Sequence, residues 1–213
     1  MNLARGEFEA RWEAGELALS LVGMSNIGKS WLAGALADGL GLKTVEVDTF
    51  IRDALGQRSM ADFAQWLGHP NTSGYREREA RSLELEDRAT LAALDALERP
   101  AVLDTTGSVI YCPEALPRLK AETFVVYLRA SDALRTKLEA LYFSHPKPLN
   151  WQGHFSQGEG KSFGEAVARS YPALLDSRDE AYAAIADRMI PAEAIYAEGL
   201  GGEELFALLK PAG

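Results

Sequence analysis

The sequence predicts a three-layer α/β domain, a five-stranded parallel sheet with helices on both faces. Three observations point there. Short apolar runs alternate with helix-periodic stretches along all 213 residues. One run, Thr123 to Leu128 (TFVVYL), is rich in the β-branched and aromatic residues that favour strands. The first apolar run passes through a glycine-bounded turn directly into a helix, as a strand–helix–strand crossover requires.

Taken in chain order, residues 3–14 read as a short charged helix, followed by a buried strand at 16–22 and a helix from about 28 to 40. A second strand covers 42–47, and two short helices follow at about 48–55 and 59–67. Ser59 opens the latter, with Asp62 three residues on in a capping-box pattern. A long helix spans about 73–98 and stops at Pro100, because proline lacks the N–H a helix interior needs. Ala101 to Leu103 is a short strand running into Asp104, and Pro113 suits the first turn of another helix. After the strand at 123–128, Ser131 caps a helix to about 143. Residues 144–164, punctuated by Pro146, Pro148, Gly153, Gly158, Gly160 and Gly164, read as a long irregular segment, of the kind that usually serves function. Helix returns at about 172–188, then a weak strand near 190–196 and a last helix at 202–209. The chain is expected to form a single domain, 1–213, with a mobile lid at about 144–164.

Composition narrows the partners. Thirty-one acidic against 22 basic side chains give a net charge of −9. Non-specific nucleic-acid binding needs a basic surface, and anionic membranes repel an acidic one. No apolar run approaches the roughly 18 residues that span a bilayer, and the acidic N-terminus is unlike a secretory signal. A cytoplasmic protein, monomeric or weakly dimeric, with neither nucleic-acid nor membrane partners is the expectation. Cys112 is the only cysteine, so no intramolecular disulfide forms.

Residues 23–30, Gly-Met-Ser-Asn-Ile-Gly-Lys-Ser, match the phosphate-binding pattern G-x-x-x-x-G-K-[ST] in full. Backbone N–H groups of Gly23, Ser25, Asn26, Ile27 and Gly28 would wrap phosphate oxygens at the positive end of the following helix. Lys29 would reach the β- and γ-phosphates, and Ser30 would ligate Mg²⁺. Asn26 stands where a glycine is common, and asparagine tolerates the left-handed geometry required. Asp104, closing the strand at 101–104, is the acid expected to act through Mg²⁺ or its water, with Glu46 at the end of the second strand as another candidate. ATP and Mg²⁺ are the cofactors this site predicts.

With these motifs in place, the chain resembles the shikimate kinases over most of its length. Glu46-Val-Asp48 looks like the family's paired acids, and Ile51, Gly56 and the serine-led helix Ser59-Met-Ala-Asp-Phe-Ala follow at matching spacings. Tyr75-Arg76-Glu77-Arg78-Glu79 resembles the family's aromatic-Arg-x-x-Glu signature, Lys147-Pro148-Leu149 its Arg-Pro-Leu lid element, and the stretch from Tyr171 to Tyr182 its second arginine segment.

The resemblance implies a P-loop kinase fold with the first strand central, between the strands at 101–104 and 123–128. It also implies ATP-dependent phosphorylation of a hydroxyl on a small carboxylate-bearing metabolite. Asp48 would hold the reacting hydroxyl, Arg76 and Arg178 the carboxylate, and Gly107 the substrate through its backbone. Lys147 would serve catalysis from the lid, and Arg135 or Lys137, on the helix leading into it, would cover the nucleotide. Two departures bear on the acceptor. Thr105-Thr106 replace the first two glycines of the family's triplet and would put side chains where a substrate ring is expected. Lysine replaces the lid arginine, a point charge in place of a planar fork. Two other readings stay open on the residues alone: a nucleoside or nucleotide kinase, and a nucleotide-binding regulatory protein without transfer activity.

Overall fold

A computed structural model describes residues 3–56, 59–144 and 149–211. Five parallel strands, β1 (Ala18–Val22), β2 (Lys43–Glu46), β3 (Ala101–Asp104), β4 (Phe124–Arg129) and β5 (Arg188–Pro191), lie in the order β2-β3-β1-β4-β5. The central position expected for β1, between β3 and β4, is borne out. The reason is visible residue by residue: β1 and β3 are buried throughout and β4 everywhere except Arg129, whereas β2 and β5 are mostly solvated edges. A strand covered on both faces reads as a continuous apolar run, which is why the inner three are the plain ones in the sequence. Ser20, the polar residue of β1, is satisfied by Thr123 at 2.7 Å.

The first strand leads into α2 (Lys29–Leu40) and the second into α3 (Val47–Ala54). The chain then forms α4 (Met60–Leu67) and the 21-residue α5 (Tyr75–Asp95), and the expected capping box of Ser59 and Asp62 opens α4. Beyond β3, α6 (Ala115–Glu122) begins where the backbone N–H groups of Glu114 and Ala115 donate to Asp87, a buried side chain of α5. The acid satisfies two orphan donors of a neighbouring helix and ties the two together. Burial raises the pKa of the Cys112 thiol, beside α6, and leaves it an inert core residue.

The N-terminal α1 (Arg5–Glu13) packs Phe8 edge-on against Phe124 of β4, ring centroids 4.9 Å apart. Phe8 also meets Phe206 of the last helix, α9 (Gly202–Leu209). α9 itself crosses α2 at a glycine pair: a Cβ on Gly39 would lie 2.6 Å from the Cα of Gly202.

Two sequence expectations are corrected in the C-terminal third. The helix expected from 172 begins nine residues earlier, as α8 (Phe163–Ile185), because Ser162 and Glu165 form a full capping box at its start. Pro172 lies inside α8 rather than at its first turn, at the cost of the bond its missing N–H would donate. The strand expected near 190–196 is β5 at 188–191, after which residues 192–196 tighten into a 3₁₀ turn.

Candidate active site

The carboxyl ends of β1, β3 and β2 open into one cavity of about 940 Å³. This is where open parallel sheets hold ligands, because the loops leaving adjacent strands diverge there. In register, Glu46 of β2 and Leu21 of β1 both stand opposite Asp104 of β3, so the strand-end acids adjoin the start of the phosphate loop.

The loop has the strained backbone its sequence requires. Asn26 takes φ 63° and Gly28 φ 109°, the left-handed region that suits Asn and Gly. No side chain caps α2, so its N-terminus is left to a ligand. Lys29, buried at the first turn, donates to the carbonyls of Gly23 and Met24, each at 3.0 Å. Ser30 donates to Asp104 at 2.5 Å. Burial raises the Asp104 carboxyl above its ordinary range, while Lys29 and Ser30 pull it down. Ser25, Asn26, Gly28, Lys29 and Ser30 line the cavity, whereas Gly23 and Ile27 are buried behind them as parts of its frame.

Asp48 on α3 and Gly107 also line the cavity, as do Glu46 and Asp104. Of the five cations expected around the acceptor and in the lid, the four among the described residues do not line it. Arg76 is exposed at the first turn of α5. Arg178, on α8, is 3% exposed and stands behind the wall, donating to the Asn150 carbonyl at 2.8 Å with its Cζ 5.6 Å from the Tyr111 ring centre. A Cβ on Gly107 would come 3.6 Å from its Nη1, so Arg178 is one residue removed from the cavity. Among the described residues its Nε has no hydrogen-bond partner. Arg135, on α7 (Asp132–Ser144), is paired with Asp176 at 2.5 Å, and Lys137 is exposed on the same helix. Lys147 lies outside the described residues.

Both threonines line the cavity. Thr105 is buried and donates back to the Leu21 carbonyl at 2.8 Å, which turns its hydroxyl into the sheet. Thr106 donates to Glu86 of α5, and so does Ser108, at 2.8 Å. Glu86, Ser108 and Asn150 all line the cavity, and sequence reasoning missed all three. A signal existed: Glu79, Ser82, Glu86 and Thr90 recur at helical spacing on α5, so they share one face, and that face is buried.

That face also holds the segment expected to be a lid. Tyr75 donates to the Leu149 carbonyl at 2.8 Å, Ser82 to Asn150 at 2.7 Å, and Glu79 accepts from the backbone N–H groups of Trp151 and Gln152. Trp151, 2% exposed, packs against Phe155 and Tyr171. From Leu149 to Gln152 the segment is therefore bolted to the body.

A family model described as shikimate kinase matches residues 25–140. Shikimate kinase 2 of Escherichia fergusonii is 32% identical over 193 residues, covering 90% of this chain and 91% of that protein. The chain belongs to the shikimate kinase family. It is an ATP-dependent small-molecule kinase. Shikimate kinase 2 of Dickeya chrysanthemi is 26% identical over 174 residues, 81% of this chain and 85% of that protein. Among solved structures, the shikimate kinase of Acinetobacter baumannii in complex with shikimate has a TM-score of 0.59 at 21% identity, with 92% of each chain covered. That of Aquifex aeolicus has 0.57 at 18%, over 91% of this chain and 94% of that one. These two bear out the fold, a five-stranded parallel α/β sheet of the P-loop kinase type. The family match ends at residue 140, before Trp151 and Arg178.

Among the described residues no helix is long and apolar enough to cross a membrane, and no cluster of three or more His, Cys, Asp or Glu is suited to a metal.

Proposed function

We propose that this shikimate kinase family member transfers the γ-phosphoryl group of ATP to a hydroxyl of a small hydroxy acid of the shikimate type. The single observation that carries the reading is one continuous cavity. The uncapped α2, Lys29 and the Ser30–Asp104 pair share its lining with Asp48 and Gly107. Phosphoryl transfer asks chiefly for positioning and charge neutralisation, and this lining offers both.

The loop amides and Lys29 bind the phosphates, Lys29 exchanging its two carbonyl partners for phosphate oxygens. Ser30 and Asp104 fit Mg²⁺: a hydroxyl and a carboxylate, hard oxygen donors of the kind the ion takes, stand side by side, and Glu46 adjoins them in register. Bound there, the ion supplies charge neutralisation on the phosphates. Asp48 orients the acceptor hydroxyl and takes up its proton. Arg178 supplies positive charge for the acceptor's carboxylate from behind Gly107, while Arg76 reaches it only by swinging in from the surface. Arg135 covers the nucleotide after releasing Asp176, Lys137 adds charge on the same helix, and Lys147 serves catalysis from the lid.

The test is a coupled assay of ADP release with shikimate, other small hydroxy acids and nucleosides. A hydroxy acid as the best acceptor supports the reading. Preference for a nucleoside favours the nucleoside-kinase alternative, and ATP binding without transfer to any acceptor would leave a regulatory role.

A further inference from the structure

The wall of the cavity formed by Glu86, Thr106 and Ser108 has a hydrogen-bonding polarity that the expected site residues do not account for. Glu86 is 5% exposed, yet it lines the cavity. Its Oε1 accepts from the Thr106 hydroxyl and its Oε2 from the Ser108 hydroxyl. The acceptor sides of those hydroxyls are occupied too: Thr106 Oγ1 takes the Ser108 N–H at 3.3 Å, and Ser108 Oγ takes the Asn150 side-chain amide at 3.1 Å. Asn150 is held in turn by Ser82.

A hydroxyl has one proton to give. Both hydroxyl protons of this wall are spent inward, on the carboxylate. A carboxylate has about four lone-pair positions, and two are used here. What the wall offers the cavity is therefore acceptor capacity alone, reinforced by Asp48 and Asp104 on the same cavity. Such a surface repels an acid group and takes a donor.

We infer that Glu86 is a specificity-determining residue that accepts a hydrogen bond from a second hydroxyl of the acceptor, one that is not phosphorylated. The acceptor is then at least a diol. The inference deepens the acceptor assignment above and rests on the phosphoryl-transfer reading of the same cavity. It also gives the paired departures at 105 and 106 a physical meaning. Thr105 lines the cavity with its hydroxyl proton turned back to the sheet, and Thr106 holds in place a carboxylate that faces the acceptor. Burial holds the Glu86 carboxyl up to about 7, opposed by Ser108 and Arg178. It accepts as a carboxylate above that pH, so the acceptor assays are run there.

The experiment crosses acceptor with variant. Wild type, Glu86→Gln and Glu86→Ala are assayed with shikimate, its singly deoxygenated analogues, and the neutral polyols in which a hydroxymethyl replaces the carboxyl, each with its own deoxygenated analogues. In wild type, deleting one particular non-reacting hydroxyl should lower kcat/KM by about 10- to 150-fold, the worth of a hydrogen bond to a charged group. In both variants that discrimination should fall toward unity with the KM for ATP unchanged. Glu86→Gln keeps the volume and one acceptor oxygen, so it tests the idea even where the alanine variant folds poorly. If both folded variants lose activity equally on every acceptor and retain the discrimination, Glu86 merely supports the loop and the inference is overturned. Preference for the neutral polyols over the acids overturns the hydroxy-acid reading instead, and the deoxygenated polyols still read Glu86.

Discussion

Lys29, Asp104 and Glu86 are buried charged residues that line the cavity, and each supports a different measurement. Lys29 is buried with its ammonium on two loop carbonyls, so it is preorganised for phosphate and has little other use there. Lys29→Ala should lower kcat by more than about 100-fold, as removal of one preorganised charge at a reacting phosphate does, with thermal melting close to wild type. Asp104→Asn keeps a partner for Ser30 but removes the negative charge, and steady-state assays over a Mg²⁺ titration should show a severe fall in kcat. Near-normal turnover would move the metal role to Glu46. Glu86 sets a pH dependence of stability. Its carboxyl is raised from 4.5 to about 7 in the folded protein by burial, with Asp48 adding repulsion and Ser108, Arg178 and Lys29 opposing. Between those values the folded chain holds a proton the unfolded chain has released. The stability from this group is therefore whole below 4.5 and is lost as pH rises through about 7. The melting temperature of Glu86→Gln relative to wild type should climb across that window, and a constant difference would show that the carboxyl titrates normally.

At the scale of elements, α5 organises the site more than its charged sequence suggests. One buried polar face holds the segment at 149–152 through Glu79 and Ser82 and the acceptor wall through Glu86, while Asp87 caps α6. Trp151 is the apolar counterpart of those bonds. Trp151→Ala should destabilise by about 3–5 kcal/mol, the usual cost of a large aromatic truncated in a core, read by denaturant unfolding. A shift under 1 kcal/mol, of the size found for ordinary surface positions, would mean the segment is only loosely docked. The crossing of α2 and α9 depends on Gly39 and Gly202 meeting without side chains. Gly39→Ala gains helix propensity, yet it should lower the melting temperature, because a backbone atom stands where the methyl would go. The helix α8 teaches a separate lesson: a capping box at Ser162 and Glu165 outweighs the nearby glycines, and the irregular segment is shorter than glycine content alone implies.

For the molecule as a whole, catalysis depends on bringing three strand ends to one cavity, and nucleotide should stabilise that arrangement by mass action. At a free ATP concentration about 100 times its Kd, stabilisation should reach about 2.7 kcal/mol, measurable as a rise in melting temperature that Lys29→Ala abolishes or greatly reduces. What the sequence determined by itself was local. The G-x-x-x-x-G-K-S loop, the apolar runs of the inner strands and the Ser59 capping box are contiguous patterns with short-range causes, and each appears in the structure where it was expected. The tertiary structure alone decided what stands across from what. Arg178 and Gly107 are neighbours only because α8 packs behind the loop after β3, and Arg76 faces solvent although its sequence surroundings match the family. Glu86 meets Thr106 and Ser108 across about twenty positions of chain. Burial and hydrogen-bond pairing between distant residues depend on how helices pack onto the sheet, and no short-range pattern encodes that.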